Sequence, residues 1–244
     1  MSHFASIRSF RRTIDVSDDG LLPPEGFRQR GPAVSGTRLL LIRHGESYAN
    51  ARGVAGGPRG DGGLTDLGRR QANALAERLA MSGELDEATA LYTSTLPRAQ
   101  QTSEILRSSL PSHLSLVVEH DLCELSVGEG DGLTWAEFAA RFPAVNWDDN
   151  PTQRCAPGGE SLIEFYERCR VIIAELCDRH PNSLIVAVAH GGVIEQALKM
   201  AQGLSAATRL GPRIEHCSMT EIEFRSKKHR VLRYNDLSPL PKRG

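Results

Sequence analysis

The sequence has few of the features that mark membrane, secreted or zinc-binding proteins. Its longest apolar run, at residues 184–189, is far shorter than the roughly 20 residues needed to cross a bilayer. No apolar stretch follows the N-terminal arginines, so a secretory signal is not indicated. The five cysteines are an odd number without a C-x-x-C pair, which favours reduced thiols over a disulfide framework or a zinc site. We therefore expect a cytoplasmic protein with no metal site.

An excess of charge of one sign is also missing. The 29 lysines and arginines balance 30 aspartates and glutamates, so nothing global attracts the protein to nucleic acid or to an anionic membrane. Any anion-binding site must come from a local cluster of positive side chains. With 40% hydrophobic residues among 244, the chain has the material for a sizeable core, and its length fits one decorated α/β domain.

Several common catalytic motifs are absent. There is no H-E-x-x-H and no G-x-S-x-G, which argues against a zinc protease and a serine hydrolase of the usual build. Gly128, Gly130 and Gly132 lack the dinucleotide spacing G-x-G-x-x-G, and residues 53–63 lack the G-K-[ST] of a nucleotide-binding loop. Both segments are predicted to be loops, and no cofactor is indicated.

The chain divides into two regions of different character. Residues 1–36 carry turn and breaker signals with little apolar periodicity, so we predict an N-terminal extension there and a folded domain over residues 37–244. From residue 38 onward, β-rich runs alternate with helical patterns, which predicts a mostly parallel sheet covered by helices. The connection at residues 120–159 is long and polar, as functional lids are.

The individual elements follow from local signals. Thr65 is a helix N-cap, Pro97 suits a first helical turn, and Ser161 with Glu164 forms a capping box. Helices are predicted at residues 65–81, 97–110, 134–141, 161–179 and 192–201. Strands are predicted at residues 38–43, within 88–94, and at 114–119, 184–189, 219–225 and 230–234.

Two of the predicted strands end at a histidine. His44 follows the first strand and His190 the fourth, each before a glycine that permits close approach of the backbone to a ligand. Ligands of open α/β sheets bind beyond the carboxyl ends of the strands, so the two imidazoles face each other if their strands are neighbours. Arg43 precedes His44, and Arg98 lies at a predicted helix N-terminus. Two guanidinium groups and two imidazoles at one crevice would suit a dianionic phosphate.

These residues belong to a longer series of motifs. The segment L-I-R-H-G-E-S at residues 41–47, with Asn50, resembles the signature of the histidine phosphatase superfamily, whose fold is that of the phosphoglycerate mutases. The resemblance implies a three-layer α/β fold in which helices cover both faces of a mostly parallel sheet. It spans residues 38–234 and leaves residues 1–36 uncovered. Further matches are L-T-D-L-G at 64–68 with Gln71 and Ala72, residues 94–102, Glu124, P-G-G-E-S at 157–161 and V-A-H-G-G at 188–192.

The resemblance also implies roles for these residues in a catalytic domain. His44 would be the nucleophile that forms a phosphohistidine through Nε2, while Arg43, Arg98 and His190 would hold the transferring phosphoryl group. A neutral imidazole offers a free lone pair near pH 7, and fixed positive groups stabilise the phosphoryl oxygens without a metal. The implied secondary substrate contacts are Asn50, Ser47 and the backbone of Gly191.

The leaving oxygen needs a proton donor. Glu124 lies where the family has its general acid, which would later act as the base that activates water. The nearby carboxylates of Glu129, Asp131 and Asp121 remain rivals for this role. Glu46, beside the nucleophile, is expected to orient a neighbour rather than to donate the proton.

Two further groups of side chains have open interpretations. Aromatic residues in the long connection either line a lid over an organic group or pack beneath the loop; they are Trp135, Phe138, Phe142 and Trp147. Four arginines either make a second anionic contact with the substrate or lie on the solvated surface; they are Arg52, Arg59, Arg141 and Arg154.

The family includes phosphatases and mutases, and the neighbours of the acid separate them. The mutase pattern has asparagine before the glutamate and arginine after it, whereas Cys123 and Leu125 occupy these positions here. The connection after Glu124 is also shorter than the basic insertion of a mutase. We therefore predict a metal-independent phosphomonoester hydrolase that acts on a small phosphorylated metabolite. A cofactor-dependent phosphoglycerate mutase and a non-catalytic protein that binds a phosphorylated ligand are the alternatives, and a homodimer remains open.

Overall fold

The computed structural model describes residues 36–226 and 228–237, so the predicted N-terminal extension lies outside the described residues, apart from Gly36. The strands are β1 (Thr37–Arg43), β2 (Ala88–Thr93), β3 (Leu116–Val118), β4 (Leu184–Ala189), β5 (Met219–Phe224) and β6 (Arg230–Asp236). The helices are α1 (Tyr48–Arg52), α2 (Asp66–Ser82), α3 (Pro97–Arg107), α4 (Trp135–Arg141), α5 (Leu162–Arg179) and α6 (Gly191–Gln202).

The strand β1 shows how the sequence builds a doubly covered sheet. Leu39 and Leu41 pack against one helical layer, while Leu40 and Ile42 pack against the other. All four side chains are completely buried. Because successive side chains of a strand point to opposite faces, a continuous apolar run is buried only where both faces are covered. The predicted central strand is confirmed.

The six strands form one sheet in the order β3-β2-β4-β1-β5-β6. The first four strands of the chain run parallel, whereas β5 pairs antiparallel with β1 and with β6. Helices α5 and α6 cover one face of the sheet, and α2 and α3 cover the other. The mostly parallel, helix-covered sheet expected from the alternation of strands and helices is confirmed, as is the three-layer arrangement that the family resemblance implies.

Local signals position most of the elements correctly. Thr65 caps α2, Pro97 opens α3, and Ser161 forms the predicted capping box with Glu164. The third strand is shorter than predicted, and the connection after it contains two short 3-10 turns besides α4. The helix α1 was not predicted, because five residues are too few to show an apolar period. None of the helices in the described part of the chain is long and apolar enough to span a bilayer.

Candidate active site

The register of the central strands brings the two histidines together. Strands β1 and β4 are parallel neighbours in which Arg43 pairs with Ala189, so the next residue of each chain segment leaves the sheet at the same level. The backbone N–H of His44 donates to the carbonyl of Ala189 across 3.1 Å, and the ring centroids of His44 and His190 lie 5.0 Å apart. The predicted juxtaposition of the two imidazoles is confirmed.

Hydrogen bonds fix the tautomer of His44. Its Nδ1 lies 2.7 Å from the carbonyl oxygen of Gly45, and only an Nδ1–H can donate to that oxygen. Its Nε2 accepts from the Nε–H of Arg98 across 3.1 Å. Burial, with the positive charge of Arg98, lowers the pKa of His44 well below its ordinary value. The imidazole is therefore neutral at pH 7 with its lone pair on Nε2.

Arg98 is held by a carboxylate that the sequence did not reveal. Its Nη1 lies 2.9 Å from Oδ2 of Asp61, and both side chains are at most 5% exposed. The same guanidinium donates to the carbonyl of Gly56 across 2.8 Å. Asp61 lies in the glycine-rich loop of residues 53–63, where nothing in the local sequence pairs it with a residue on α3. The ion pair fixes the direction of the Nε–H toward His44.

Arg43 enters the site from the end of β1. Its Nη1 donates to the carbonyl of Ile214 across 2.5 Å. Burial, with the charge of the nearby Arg213, lowers the pKa of Arg43 to about 10, so the group remains positive at neutral pH. Its buried Nε has no hydrogen-bond partner within the described residues. An unsatisfied buried donor of this kind is complementary to an anionic oxygen.

His190 is oriented by the end of β2. The hydroxyl of Ser94 lies 2.7 Å from its Nε2, while its buried Nδ1 has no partner in the part of the chain that the structure describes. Burial, with the positive charge of Arg98, lowers the pKa of His190 as well. Two neutral imidazoles and two charged guanidinium groups thus surround the same point.

Glu124 approaches from the loop after β3. The backbone N–H of Gly192 donates to its Oε2, and that of Leu125 donates to its Oε1, each across 3.0 Å. A side chain at position 192 would displace this carboxylate, because a Cβ there would lie 2.1 Å from Oε1. Glu124 lines the crevice that contains Arg43 and His44.

The rival carboxylates are engaged elsewhere. Glu129 pairs with Arg141 at 3.2 Å on the surface, and Asp131 accepts the backbone N–H groups of two loop residues. The side chain of Asp121 is 46% exposed and lies against His120. Glu46 accepts the hydroxyl of Thr65 across 2.8 Å and does not line the crevice. Of the predicted candidates, Glu124 is therefore the carboxylate that lines the crevice with His44.

The crevice has a volume of about 510 Å³, and both Asn50 and Gly191 line it. Oδ1 of Asn50 accepts the hydroxyl and the backbone N–H of Ser47, and it also lies 3.2 Å from Nε2 of His216. Because a backbone N–H can only donate, the amide oxygen must face Ser47. The amide NH₂ of Asn50 is then left for a ligand. Ser47 itself is fully buried behind Asn50 as the N-cap of α1.

His216 is a third imidazole that the sequence did not indicate. Its ring centroid lies 5.7 Å from that of His44. Burial, with the charges of Arg43 and Arg213, lowers the pKa of His216 to about 3. It lies in an irregular segment before β5, without a strand end or a motif to mark it.

The glycines after the two histidines have different functions. The N–H of Gly45 donates to the hydroxyl of Thr102 across 3.1 Å, so it is not free for a ligand as we expected. A Cβ at position 45 would lie 2.5 Å from the carbonyl oxygen of Gly68, so close packing requires this glycine. Gly191, by contrast, lines the crevice as the first residue of α6, where the positive end of the helix favours anions.

The structure distinguishes between the two interpretations offered for the aromatic residues and for the four arginines. Trp135 is 54% exposed and lines the crevice, whereas Phe138 and Trp147 pack on the small apolar cluster around Val127. None of the four arginines lines the crevice. Arg59, Arg141 and Arg154 pair with Asp131, Glu129 and Glu164, and Arg52 lies over the ring of Tyr48.

The fold has three α/β layers, and two histidines, two arginines and a carboxylate lie together at the carboxyl ends of its parallel strands. This is the architecture of the histidine phosphatases. A sequence model of the histidine phosphatase superfamily (branch 1) matches residues 39–237. The chain therefore belongs to this superfamily, as one of its phosphatases.

Relatives from plants and bacteria agree with this membership. The chain is 34% identical over 167 residues to phosphoglycerate mutase-like protein 4 of Arabidopsis thaliana, covering 67% of this chain and 70% of the relative. It is 30% identical over 213 residues to the metal-independent phosphoserine phosphatase of the same plant, covering 85% of each. The structure of a mycobacterial glucosyl-3-phosphoglycerate phosphatase solved with VO3 superposes with a TM-score of 0.68 at 29% identity, covering 81% of this chain and 98% of that one.

Proposed function

We propose that this phosphatase hydrolyses phosphomonoesters without a metal, through a phosphohistidine on His44. The observation that carries the proposal is the tautomer of this residue. Its Nδ1–H is committed to the carbonyl of Gly45, and its Nε2 lone pair lies in the crevice beside the Nε–H of Arg98. A neutral, desolvated imidazole held in one orientation is an activated nucleophile.

The first half of the reaction breaks the ester bond. Nε2 of His44 attacks phosphorus, the P–N bond forms, and the leaving oxygen departs with the electron pair of the P–O bond. Glu124, held by the N–H of Gly192, donates its proton to that oxygen. The product alcohol leaves, and Glu124 remains as a carboxylate.

The second half returns the enzyme to its starting state. Glu124 removes a proton from a water molecule, whose oxygen attacks phosphorus as the P–N bond breaks. The electron pair of that bond returns to Nε2 of His44, inorganic phosphate is released, and Glu124 is again protonated. No redox step or external reactant other than water is required.

In many phosphoryl transferases a metal cation neutralises the charge on the phosphoryl oxygens. Here positively charged side chains in fixed positions would do so. Arg43 and Arg98 are buried and positively charged. The Nε–H of Arg43, which has no hydrogen-bond partner among the described residues, is available to an equatorial oxygen of the phosphoryl group. His190, with its unpartnered Nδ1, can donate to another oxygen. The similarity to the metal-independent phosphoserine phosphatase of Arabidopsis supports catalysis without a metal here.

Three residues complete the phosphate site in this proposal. The NH₂ group of Asn50 and the backbone of Gly191 contact the substrate, since both residues line the crevice. Ser47 acts through Asn50, because its hydroxyl is used in the capping box. The substrate is a small phosphorylated metabolite, in keeping with the substrates named for the phosphoserine and glucosyl-3-phosphoglycerate phosphatases.

Rapid quench with a ³²P-labelled phosphomonoester tests the intermediate. We expect an acid-labile adduct that forms before alcohol release is complete and maps to the peptide containing His44. His44→Asn should form no adduct and release no phosphate. An exposed histidine, His113, provides the matched control in His113→Asn. Full activity of His44→Asn, or activity that EDTA abolishes, would contradict the proposal.

Product analysis with a different substrate separates the alternative activities. With 3-phosphoglycerate and catalytic 2,3-bisphosphoglycerate, a hydrolase releases inorganic phosphate, whereas a mutase yields the isomer with phosphate on the other hydroxyl. Tight binding of phosphorylated compounds without turnover would instead identify a binding protein.

A further inference from the structure

An arginine outside the crevice holds the loop that carries Glu124. Arg168 lies in the second turn of α5, and its side chain is 16% exposed. Its Nη1 donates to the carbonyl oxygens of Asp121 and Cys123 across 2.8 and 3.0 Å. Its Nη2 lies 3.4 Å from the carbonyl oxygen of Glu124 itself. The backbone that leads to the proposed acid is therefore bound to α5.

A carboxylate just before α5 completes this arrangement. The Nε and Nη2 of Arg168 donate to the two carboxylate oxygens of Glu160 across 2.7 and 2.8 Å, which makes a bidentate ion pair. Oε2 of Glu160 also accepts the backbone N–H of Ser126, and the backbone N–H of Glu160 donates to the carbonyl of Ser126, each across 2.8 Å. The backbone is thus held on both sides of Glu124. Glu160 is the glutamate of the P-G-G-E-S motif, which has no part in the proposed reaction.

The guanidinium of Arg168 has an acceptor for each of its N–H groups. Arginine offers five donors in one rigid plane, whereas lysine offers three from a single nitrogen. The Nε–H and one N–H of Nη2 meet Glu160, and the other three meet the backbone carbonyls of residues 121, 123 and 124. The guanidinium carbon also lies 5.1 Å from the ring centroid of the buried Phe165. The orientation of the guanidinium is therefore fixed by its surroundings.

The same helical layer holds the other end of the acid. The carboxylate of Glu124 accepts the N–H of Gly192 at the start of α6, while its backbone is held by Arg168 on α5. Both helices pack on the same face of the sheet. A general acid must lie within hydrogen-bond reach of the oxygen that it protonates, and a displacement of about 1 Å can cost about 100-fold in rate. A residue that fixes the loop can therefore control the protonation of the leaving group.

We infer that Arg168, together with Glu160, is a positioning residue for the general acid. The pair fixes residues 121–126 so that the carboxylate of Glu124 lies within reach of the leaving oxygen. This inference rests on the proposed phosphatase function and extends it to side chains that do not line the crevice. Loss of a purely structural contact would slow the reaction of every substrate alike. Loss of a positioning contact should slow those substrates whose leaving group needs a proton.

Two phosphate esters with similar rings and different leaving groups provide the test. Benzyl phosphate releases an alkoxide that needs the proton, whereas p-nitrophenyl phosphate releases a stable phenolate. With enzyme in excess, quenched flow measures the release of each leaving group in a single turnover. In Arg168→Gln we expect this rate to fall about tenfold for benzyl phosphate and less than about twofold for p-nitrophenyl phosphate. Equal falls for the two esters would overturn the inference.

A second variant and two matched controls accompany this measurement. Glu160→Gln keeps the guanidinium and the shape of the carboxylate, so it applies the same test where Arg168→Gln folds poorly, and the same selective fall is expected. Arg170→Gln and Glu167→Gln remove an ion pair of the same helix whose side chains are 51% and 50% exposed. Both controls should react with the two esters as the wild type does. A selective fall in the controls would contradict a specific contact of Arg168.

Combination with Glu124→Gln shows whether Arg168 acts through the acid. In this background Arg168→Gln should cause no further fall in the release of benzyl alcohol, because the proton donor is already lost. The same fall in both backgrounds would contradict the inference. Equal slowing of the two esters by Glu124→Gln alone would contradict the proposed function. A selective effect of Glu124→Gln that is absent from Arg168→Gln would overturn the inference alone.

Amide hydrogen exchange tests the contact independently of the reaction. In Arg168→Gln, the peptide that covers residues 121–126 should exchange faster than in the wild type and in Arg170→Gln, because its backbone has lost its anchor. Peptides of β1 and β4 should exchange as before. Unchanged exchange at residues 121–126 would overturn the inference even if the proposed reaction is correct. A rise spread equally over the sheet would identify a purely structural role and would overturn it as well.

Discussion

The Nε–H of Arg98 donates to Nε2 of His44 across 3.1 Å. The donor of a fixed cation therefore meets the nitrogen that carries the lone pair of the imidazole. This contact opposes protonation of His44. In the proposed mechanism, the same guanidinium also stabilises the charge that develops on the phosphoryl group as Nε2 attacks.

Replacement of Arg98 by lysine tests this double function. Arg98→Lys keeps a positive charge but loses the planar fork that reaches both His44 and Asp61. We expect kcat/KM to fall about 100-fold, on the order of 3 kcal/mol of transition-state stabilisation. Steady-state kinetics provides the measurement. Arg107→Lys, at the exposed end of the same helix, is the control, and a comparable loss in that variant would argue against a specific contact.

The buried carboxylate of Asp61 should be needed for both stability and rate. In Asp61→Asn the Arg98 guanidinium stays buried without its counter-charge, which costs about 3 kcal/mol of unfolding free energy. The Nε–H toward His44 also loses its support, so kcat should fall. Urea denaturation and steady-state kinetics measure the two effects, with the exposed Asp178→Asn as the control. Wild-type stability in Asp61→Asn would show that the ion pair is not stabilising the fold.

The effect on the rate of removing the proposed general acid should depend on the leaving group. In Glu124→Gln we expect kcat to fall about 100-fold or more for alkyl phosphates, whose alkoxides need the proton. The fall in P–O cleavage should be smaller for p-nitrophenyl phosphate, because its phenolate leaves readily. The phosphohistidine should then accumulate, since water lacks its base. Quenched-flow measurements with both substrates check this, and Glu129→Gln, a surface carboxylate, should behave as the wild type.

The glycine that holds the acid should be sensitive to a single methyl group. A Cβ at position 192 would lie 2.1 Å from Oε1 of Glu124 and 3.0 Å from a ring carbon of the buried Phe165, so the carboxylate must move and the ring must give way. Gly192→Ala should therefore lose activity almost as Glu124→Gln does, and crowding against the core ring should lower its unfolding free energy by about 1–3 kcal/mol. Gly211→Ala, where a Cβ meets open space, is the control. Retention of full activity would mean that the position of Glu124 is not critical.

The buried histidines should make the fold sensitive to acid. The folded-state pKa values of His44 and His190 are lowered, whereas in the unfolded chain both protonate near pH 6.5. The unfolded state then binds more protons below that pH, so stability is complete above about pH 6.5 and falls as the pH drops toward the folded-state pKa values. The contribution of each histidine to the slope should be about half of 1.4 kcal/mol per pH unit at pH 6.5 and should approach about 1.4 kcal/mol per pH unit at lower pH.

Denaturation at pH 7.5, 6.5 and 5.5, in buffers without phosphate, measures this slope. His190→Asn should reduce the stability lost between pH 7.5 and pH 5.5 by the contribution of one histidine, about 1.4 kcal/mol over the whole interval. The exposed His113→Asn should leave it as in the wild type. A slope that does not respond to His190→Asn would show that this imidazole is not held neutral in the folded state.

Features that neighbouring residues encode were mostly predictable from the sequence. Contacts between residues far apart in the chain were not. Strands β1 and β4 are continuous apolar runs that stop at His44 and His190, and a local pattern of this kind needs no knowledge of the rest of the chain. The helix α1 has five residues and no period, and its capping box between Ser47 and Asn50 was not recognised. Asp61 was missed for another reason, because its partner Arg98 lies 37 residues away.

By itself the amino-acid order determined the α/β class of the fold and the strand ends at which His44 and His190 lie, since apolar runs and the residues that end them are local properties. Folding in three dimensions decided which nitrogen of His44 carries the lone pair, which carboxylate lines the same crevice, how the Asn50 amide is turned, and that His216 stands beside His44. Each of these depends on hydrogen bonds or distances of a few ångströms, most of them between segments remote in the chain. Such distances arise only when packing of the two helical layers against the sheet brings those segments together.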